Sequence, residues 1–170
     1  TCPHYLILDR EQFEKIGPLA KCSPALRDKS IVSRLWEKVA AGDVDTIGSD
    51  HSPAPLSMKQ SVTHNIFDIW GGISGCQNNV DLLYDRFVRQ RGLPATEFAR
   101  LTAENPAKIF GLTNKGKLQV GYDADITLLD LNQSYVLNKN DMYYKNKISA
   151  YEGFQINDRV TTTILRGQII

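Results

Sequence analysis

The first half of the chain alternates short apolar runs with an amphipathic segment. "CPHYLIL" and "VDTIG" have the composition of short buried strands, and a briefer run, "GPLAKCSP", lies between them. From Ser30 to Ala41 the apolar residues recur at helical spacing, which predicts a helix. Ser30 is its expected N-cap, because a hydroxyl can accept a hydrogen bond from an unpaired backbone N–H. Strands separated by helical segments favour a parallel sheet, so the expected fold class is α/β.

Further helices are expected after the glycine-rich stretch "DIWGGISG". The first is predicted from apolar residues that share one helical face: Ile73, Cys76, Val80, Leu83, Phe87 and Val88. Gly92 and Pro94 end this helix, and another begins after Pro94. A third is expected in "ENPAKIFGL", with Asn105 as its N-cap, Pro106 at the first helical position and Gly111 at its end.

The pattern changes near residue 115. "GKLQVGYDADITLLDL" is typical of a hairpin with turns at Gly121 and Asp123, followed by an apolar strand. "RVTTTILRGQII" is rich in β-branched residues and contains a tight turn at Arg166 and Gly167. We therefore expect an α/β part over residues 1–115 and part of a small all-β domain over residues 116–170.

Composition excludes several classes of partner. The 170 residues are 42% hydrophobic with a formal charge of +1, and no basic patch suggests binding to nucleic acid. No apolar run approaches the roughly 20 residues that cross a bilayer, so no membrane partner is expected. Cys2, Cys22 and Cys76 are odd in number and lack CxxC spacing, which is typical of a reduced, cytoplasmic protein.

Candidate reactive groups lie near the ends of the predicted strands. In parallel sheets such groups collect at the carboxyl ends of the strands, and His4, Cys22, Ser23 and Asp50 have this position. Neutral imidazole and carboxylate are suitable zinc ligands, but a catalytic zinc ion takes at least three protein ligands. From the residues alone, a site made of His4 and Asp50 is incomplete.

The other candidates give weaker signals. His51 follows Asp50 directly, so in an extended chain the two side chains point to opposite sides, and a structural role is expected for His51. His64 is interpreted as a surface residue. Cys22 and Cys76 have no histidine at motif spacing, which argues against a thiol nucleophile. Ser52 lacks the GxSxG setting of a hydrolase nucleophile but can still contact a substrate.

Three stretches resemble a known family. "TCPHYL", "KCSPALR" and "GSDHSP" are similar, in order and spacing, to strands six, seven and eight of the cyclic-amide amidohydrolases, which include dihydroorotase, dihydropyrimidinase and allantoinase. "NPAKIFGL" and "GKLQVGYDADITLLD" resemble the closing helix of that family and its return into a small β-domain. The resemblance covers all 170 residues and implies the C-terminal part of a (β/α)8 TIM-type barrel followed by part of a small β-sandwich.

The resemblance also implies a metal site. The family holds two divalent ions, usually zinc, on an HxH pair, a carboxylated lysine and a histidine that would all lie upstream of Thr1. His4 corresponds to the strand-six histidine and Asp50 to the strand-eight aspartate. The implied reaction is attack of a metal-activated hydroxide on a ring carbonyl, with Asp50 carrying the proton to the leaving nitrogen. Because most ligands are upstream, we expect this chain alone to be inactive and to bind zinc poorly.

Within the family, the loops resemble the allantoinase branch. Dihydroorotases usually have asparagine at the position of Ser23 and histidine at that of Ala54, whereas dihydropyrimidinases tend to have cysteine at that of Ser52. The implied substrate is allantoin, opened to allantoate in purine catabolism, with Ser23, Ser52, Gly71 and Gly72 as candidate substrate-binding residues. A cytoplasmic homotetramer is implied, and a dihydropyrimidinase-type hydantoinase or a dihydroorotase is the alternative.

Two other classes remain open. One is a non-catalytic relative that keeps the barrel as an assembly module, and the other is an unrelated α/β binding domain. Relatives without activity often lose metal ligands, so the presence of both His4 and Asp50 favours an enzyme.

Overall fold

The computed structural model describes residues 1–60 and 65–170 of the chain. Its α-helices are α1 (Pro3–Ile7), α2 (Arg10–Ile16), α3 (Lys29–Ala40), α4 (Asn79–Tyr84), α5 (Ala95–Ala99) and α6 (Asn105–Ile109). Two π-helical segments, Asp85–Arg89 and Arg100–Glu104, directly follow α4 and α5. Short 3₁₀ helices are Gly17–Ala20, Leu56–Lys59, Ile66–Asp68 and Lys139–Asp141. No helix in these described ranges is long and apolar enough to cross a membrane.

The strands form two small antiparallel sheets. They are β1 (Ile126–Asp130), β2 (Tyr135–Val136), β3 (Gln155–Ile156), β4 (Arg159–Leu165) and β5 (Gln168–Ile169). One sheet has the order β1–β4–β5 and the other pairs β2 with β3. The structure is therefore mixed α/β, with every strand of the described residues after residue 125. The domain boundary at residue 115 stays a prediction.

The predicted tight turn at Arg166 and Gly167 is confirmed. Their φ angles are 49° and 81°, and two successive positive φ values are typical of the hairpin turn that joins β4 to β5. The hairpin predicted within "GKLQVGYDADITLLDL" is wrong, because only Ile126–Asp130 forms a strand and it pairs with β4. Lys115 explains the difference: its Nζ contacts carboxylate oxygens of Asp123 and Asp125 at 2.9 and 2.5 Å, which folds this stretch back on itself.

The expected strand "CPHYLIL" is instead the short helix α1. Pro3 occupies its first turn, where the missing N–H has no partner to lose and the fixed φ suits a helix. Cys2 precedes it in an extended conformation, and extended backbone resumes at Leu8. A short apolar run fits a buried helix as well as a buried strand, and the proline decides for the helix.

The run "GPLAKCSP" begins with the 3₁₀ helix Gly17–Ala20 and contains no strand, and residues 44–48 do not form a regular strand either. Residues 44–48 nevertheless have a parallel neighbour. The Thr1 amino group donates to the Thr46 carbonyl at 2.9 Å, and the Gly48 N–H donates to the Thr1 carbonyl at 3.0 Å. This is the bonding pattern of a parallel pair in which Thr1 lies opposite Ile47. The elements that carry His4 and Asp50 are therefore direct neighbours, with no strand between them.

Three of the predicted helices differ in detail. The helix predicted from Ile73 begins only at Asn79, so Ile73 and Cys76 lie before it. The helix expected at Ser30 to Ala41 is confirmed as α3, but Asp28 is its N-cap residue and Ser30 lies inside it. Asn105 is not an N-cap, because the backbone stays helical from Ala95 to Ile109. Pro106 is tolerated inside this helix because a π-helical segment precedes it, and proline has no N–H to leave unpaired.

Two apolar cores hold the elements together. The first joins the start of the chain to the segment after β1, and its buried members are Leu8, Ala20, Cys22, Ile73, Leu82, Leu137, Met142, Ala150, Tyr151 and Ile156. The second packs α1 and α3 against α4 and the helical segments that follow α4, with Leu6, Trp36, Val39, Ile47, Leu83, Phe87, Phe98 and Leu101 as its buried members. Ile47 belongs to the second core, so burial fixes the backbone that leads to Asp50.

A buried carboxylate network connects α4 and its π-helical extension to the strands. Asp85 is fully buried and contacts Arg86, Gln90 and Asn157. Asp158 is also fully buried, yet neither of its carboxylate oxygens has a hydrogen-bond partner among the described residues. Burial, reinforced by the nearby carboxylates of Asp85 and Asp81, raises the pKa of Asp158 from 3.8 to about 7.

We predict that Asp158→Asn stabilises the protein at pH 8 and has little effect near pH 4. The folded state binds the Asp158 proton more tightly than the unfolded chain, so the free energy of unfolding falls as pH rises from about 4 to about 7. The amide has the same shape and no charge, so the variant avoids this loss. Thermal unfolding across this pH range measures the effect, with an expected gain of several degrees in Tm above pH 7.

Asp141→Asn is the matched control, because Asp141 is exposed. Its Tm is expected to follow that of the unmodified protein at every pH. A Tm for Asp158→Asn that runs parallel to the unmodified protein from pH 4 to pH 8 would contradict the buried, charged state of Asp158.

Candidate metal and active site

His4 and Asp50 lie in contact. His4 is in the first turn of α1, just beyond Thr1, and Asp50 follows the neighbouring extended stretch, just beyond Gly48. His4 Nε2 is 3.3 Å from Asp50 Oδ2. The parallel pairing of Thr1 with Ile47 explains this proximity, since it aligns the ends of the two elements. The structure thus brings together the two residues on which the expected site depends.

The two side chains have different environments. His4 is 2% exposed, whereas 59% of the Asp50 side chain is exposed. Burial lowers the pKa of His4, and the Asp50 carboxylate only partly opposes this. A buried neutral imidazole therefore faces a carboxylate that water and small molecules can reach.

Cys2 is a third member of the cluster, and sequence reasoning missed it. Its Sγ lies 3.1 Å from His4 Nε2 and 4.0 Å from Asp50 Oδ2. Donor atoms of Cys2, His4 and Asp50 all lie within 4.8 Å of one another. Burial raises the pKa of the Cys2 thiol to about 12, so it is protonated at neutral pH. A cysteine two residues before a histidine was the only available signal.

The cluster fits a divalent metal. Two ligand atoms bound to tetrahedral zinc at 2.0–2.1 Å lie about 3.3 Å apart, and Nε2 and Oδ2 have this separation. His4 Nδ1 is buried without a hydrogen-bond partner in the described residues. Binding of a metal through Nε2 places the ring proton on Nδ1, and the expected acceptor for that proton is absent from residues 1–60 and 65–170.

The backbone at Asp50 is unusual. Its φ is 45°, in the left-handed region that few residues other than glycine occupy. Aspartate tolerates this region better than most residues, because its short side chain can hydrogen-bond locally. Such conformations cluster at functional sites, where the surrounding structure enforces them. Here the constraint is the pairing on both sides: Gly48 with Thr1 before Asp50, and His51 with Ile73 after it.

The four expected substrate-binding residues form two close pairs, Gly72 with Ser52 and Gly71 with Ser23. A Cβ atom on Gly72 would lie 2.5 Å from Ser52 Oγ and 2.8 Å from the Ser52 carbonyl oxygen. A Cβ on Gly71 would lie 3.4 Å from Ser23 Oγ. The absence of side chains at both glycines allows these serines to approach the loop backbone. Their role in substrate binding stays a prediction.

The contacts of the other candidate residues do not favour a role as metal ligand or nucleophile. His51 Nδ1 accepts hydrogen bonds from the N–H groups of Gly75 and Cys76 at 3.1 and 3.2 Å, so this nitrogen has no lone pair left for a metal. Cys22 is buried, and burial raises the pKa of its thiol, which argues against a thiolate nucleophile. His64 lies outside the described residues.

The chain belongs to the amidohydrolase family, whose family model matches residues 21–170. It is 48% identical to an allantoinase from Escherichia coli O139:H28 and 47% identical to an allantoinase from Salmonella newport, over the whole chain in both cases. The chain spans 37% of the length of each of these relatives.

Solved structures give the same family at lower identity. The L-hydantoinase (dihydropyrimidinase) from Arthrobacter aurescens superposes with a TM-score of 0.96 at 30% identity, over all of this chain and 38% of the other. The dihydropyrimidinase from Brevibacillus agri gives 0.93 at 30% identity over the same shares. The fold is therefore that of the corresponding part of these enzymes.

We predict that Gly72→Ala destabilises the protein. The added methyl group meets the Ser52 backbone as well as its side chain, and backbone cannot rotate away. Overpacking of this kind costs about 1–3 kcal/mol. Denaturant unfolding of the purified protein measures the loss.

Gly48→Ala is the control, because nothing lies within 4 Å of its added Cβ. We expect its free energy of unfolding to change by less than about 1 kcal/mol. Equal stability of the two variants would contradict the close contact between Gly72 and Ser52.

Proposed function

We propose that the full-length protein hydrolyses the cyclic amide bond of allantoin to give allantoate. The observation that carries this proposal is the 48% identity to an allantoinase over all 170 residues. Residues 1–115 would supply the C-terminal part of a (β/α)8 barrel, and residues 116–170 part of a small β-sandwich. The extended backbone before Asp50, with its parallel neighbour at Thr1, supports this arrangement.

We propose that His4 and Asp50 are the contribution of this chain to a centre of two divalent metal ions, with zinc as the metal. The separation of Nε2 and Oδ2 and the neutral state of His4 support the assignment. The other ligands, including a carboxylated lysine, would come from chain upstream of Thr1. When bound, such ions polarise a carbonyl and lower the pKa of water.

The reactive role falls to Asp50. Its exposed carboxylate takes a proton from the attacking water and returns it to the leaving ring nitrogen. The left-handed backbone and the contact with His4 restrict the directions that the carboxylate can take. His4 is buried and fixed in α1, so it provides the rigid side of the pair. Proton transfer needs this restriction, because donor and acceptor must lie within hydrogen-bonding distance.

Substrate binding is assigned to the loops beside the cluster. Ser23 and Ser52 present hydroxyl groups, and Gly71 and Gly72 present backbone groups that no side chain covers. Allantoin carries an uncharged ureido arm, so Ala54 in place of the carboxylate-binding histidine of dihydroorotases suits it. We also propose a cytoplasmic homotetramer for the full-length enzyme.

We predict that the full-length protein turns over allantoin in preference to dihydroorotate, dihydrouracil and hydantoin. An assay of kcat/KM for the four compounds, side by side, tests the proposal. Hydantoinase activity is the second candidate, favoured by the TM-score of 0.96 with the L-hydantoinase. Preference for hydantoin or dihydrouracil would establish this second candidate, and no turnover of any of the four would contradict both.

We predict that Asp50→Asn abolishes hydrolysis and leaves the fold intact. The amide keeps the shape of the side chain but cannot accept the proton, and loss of a general base typically costs about 10²–10⁴-fold in rate. The assay is kcat on the accepted substrate, with circular dichroism and Tm as checks of the fold.

Asp45→Asn is the matched control, because Asp45 is an exposed carboxylate five residues earlier. It should keep normal turnover. Near-normal turnover in Asp50→Asn would refute the role of Asp50 in proton transfer.

A further inference from the structure

Lys59 is a buried cation that the proposed mechanism does not use. It ends the 3₁₀ helix Leu56–Lys59 and is 3% exposed. Its Nζ donates to the backbone carbonyl oxygens of Lys21 at 3.2 Å, Trp70 at 3.1 Å and Gly72 at 2.5 Å. No ion pair involves Lys59 among the described residues.

The number of hydrogen-bond donors on Lys59 equals the number of acceptors around it. An ammonium group has three N–H donors, and three carbonyl oxygens accept them. Burial lowers the pKa of Lys59 to about 8, so it is charged at neutral pH. Buried lysines without a carboxylate partner are rare, because removing the charge from water is costly. Here the dipoles of three carbonyls replace the solvent.

The three carbonyls belong to two stretches of chain, and Lys59 itself lies in a third. The Lys21 carbonyl also accepts the Gly72 N–H at 3.0 Å, and the Trp70 N–H donates to the Met58 carbonyl at 2.8 Å. Lys59 is therefore the centre of a hydrogen-bond network, here called the mesh, that joins residues 20–23, 52–59 and 70–73.

These stretches carry all four residues that we assign to substrate binding. Ser23 follows Lys21 by two residues, Ser52 begins the stretch that leads to Lys59, and Gly71 and Gly72 lie in the third. The Gly72 carbonyl accepts a hydrogen bond from Lys59. Ser52 packs against the Cα of Gly72, on the side where another residue would carry its Cβ. The Lys59 side chain thus links all three stretches.

We propose that Lys59 is a positioning residue, whose buried ammonium holds the Ser23, Ser52 and Gly71–Gly72 loops in the arrangement that binds the cyclic amide. This inference rests on the proposed function, because it takes these loops as the substrate site. Lys59 acts through the backbone and does not touch the substrate.

The test is Lys59→Met in the full-length protein, which keeps the apolar stem and removes all three donors. We expect KM for the accepted cyclic amide to rise at least tenfold while kcat falls less than threefold. Hydrogen exchange at the Trp70 and Gly72 amides should rise at least tenfold, with β1 and β4 unchanged. Lys145→Met, at an exposed lysine, is the control and should change none of these quantities.

Other outcomes overturn the proposal. An unchanged KM with a lower yield or kcat would give Lys59 a merely structural role, and unchanged exchange would show that the loops do not depend on it. If Lys59→Met does not fold, Lys59→Gln takes its place, because its amide restores two N–H donors. Its KM and its amide exchange are expected to exceed those of the unmodified protein, and normal values would overturn the proposal. An unmodified protein without turnover on any cyclic amide refutes the proposed function instead, while altered exchange in Lys59→Met still establishes the mesh.

Discussion

The contact between His4 and Asp50 depends on one backbone pairing, that of Thr1 with Ile47. Two hydrogen bonds of 2.9 and 3.0 Å align the end of one extended stretch with the end of the next. His4 and Asp50 are separated by 45 residues in the sequence, and without this register their side chains would have no reason to meet. The buried ring and the exposed carboxylate then form the cluster that the proposed chemistry requires.

The extended stretch that contains Ile47 also forms a hydrogen bond to a helix on its other edge. The Ile47 N–H donates to the Leu101 carbonyl at 3.0 Å. That carbonyl is available because the Asn105 N–H bonds to Arg100 in the π-helical segment, and Pro106 has no N–H to offer. A proline that seemed to start a new helix therefore frees an acceptor inside an existing one. The irregular helix and the strand-like segment before Asp50 are parts of a single hydrogen-bonded arrangement.

Sequence reasoning paired His4 with Asp50, which the structure brings into contact, but was less successful with the local structure. His4 and Asp50 were found because resemblance to a family adds information that periodicity lacks. The strand predicted at "CPHYLIL" was wrong, because a five-residue apolar element has too few turns to show its period. The β-branched stretch at β4 and its Arg166–Gly167 turn were predictable, since both depend on local preferences. Cys2 and Lys59 were missed, since their partners are set by the path of the chain.

Asp85 and Lys59 are both buried and are compensated in different ways. Asp85 is held by the side chains of Arg86, Gln90 and Asn157, so its environment depends on the identity of those residues. Lys59 is held by carbonyl oxygens alone, which any residue supplies. The residues at positions 21 and 70 can therefore change without loss of the acceptors, provided that the backbone keeps its path, whereas the close contact with Ser52 restricts position 72 to glycine. The side chains at positions 21 and 70 do not take part in the contact with Lys59, which is made by the backbone alone.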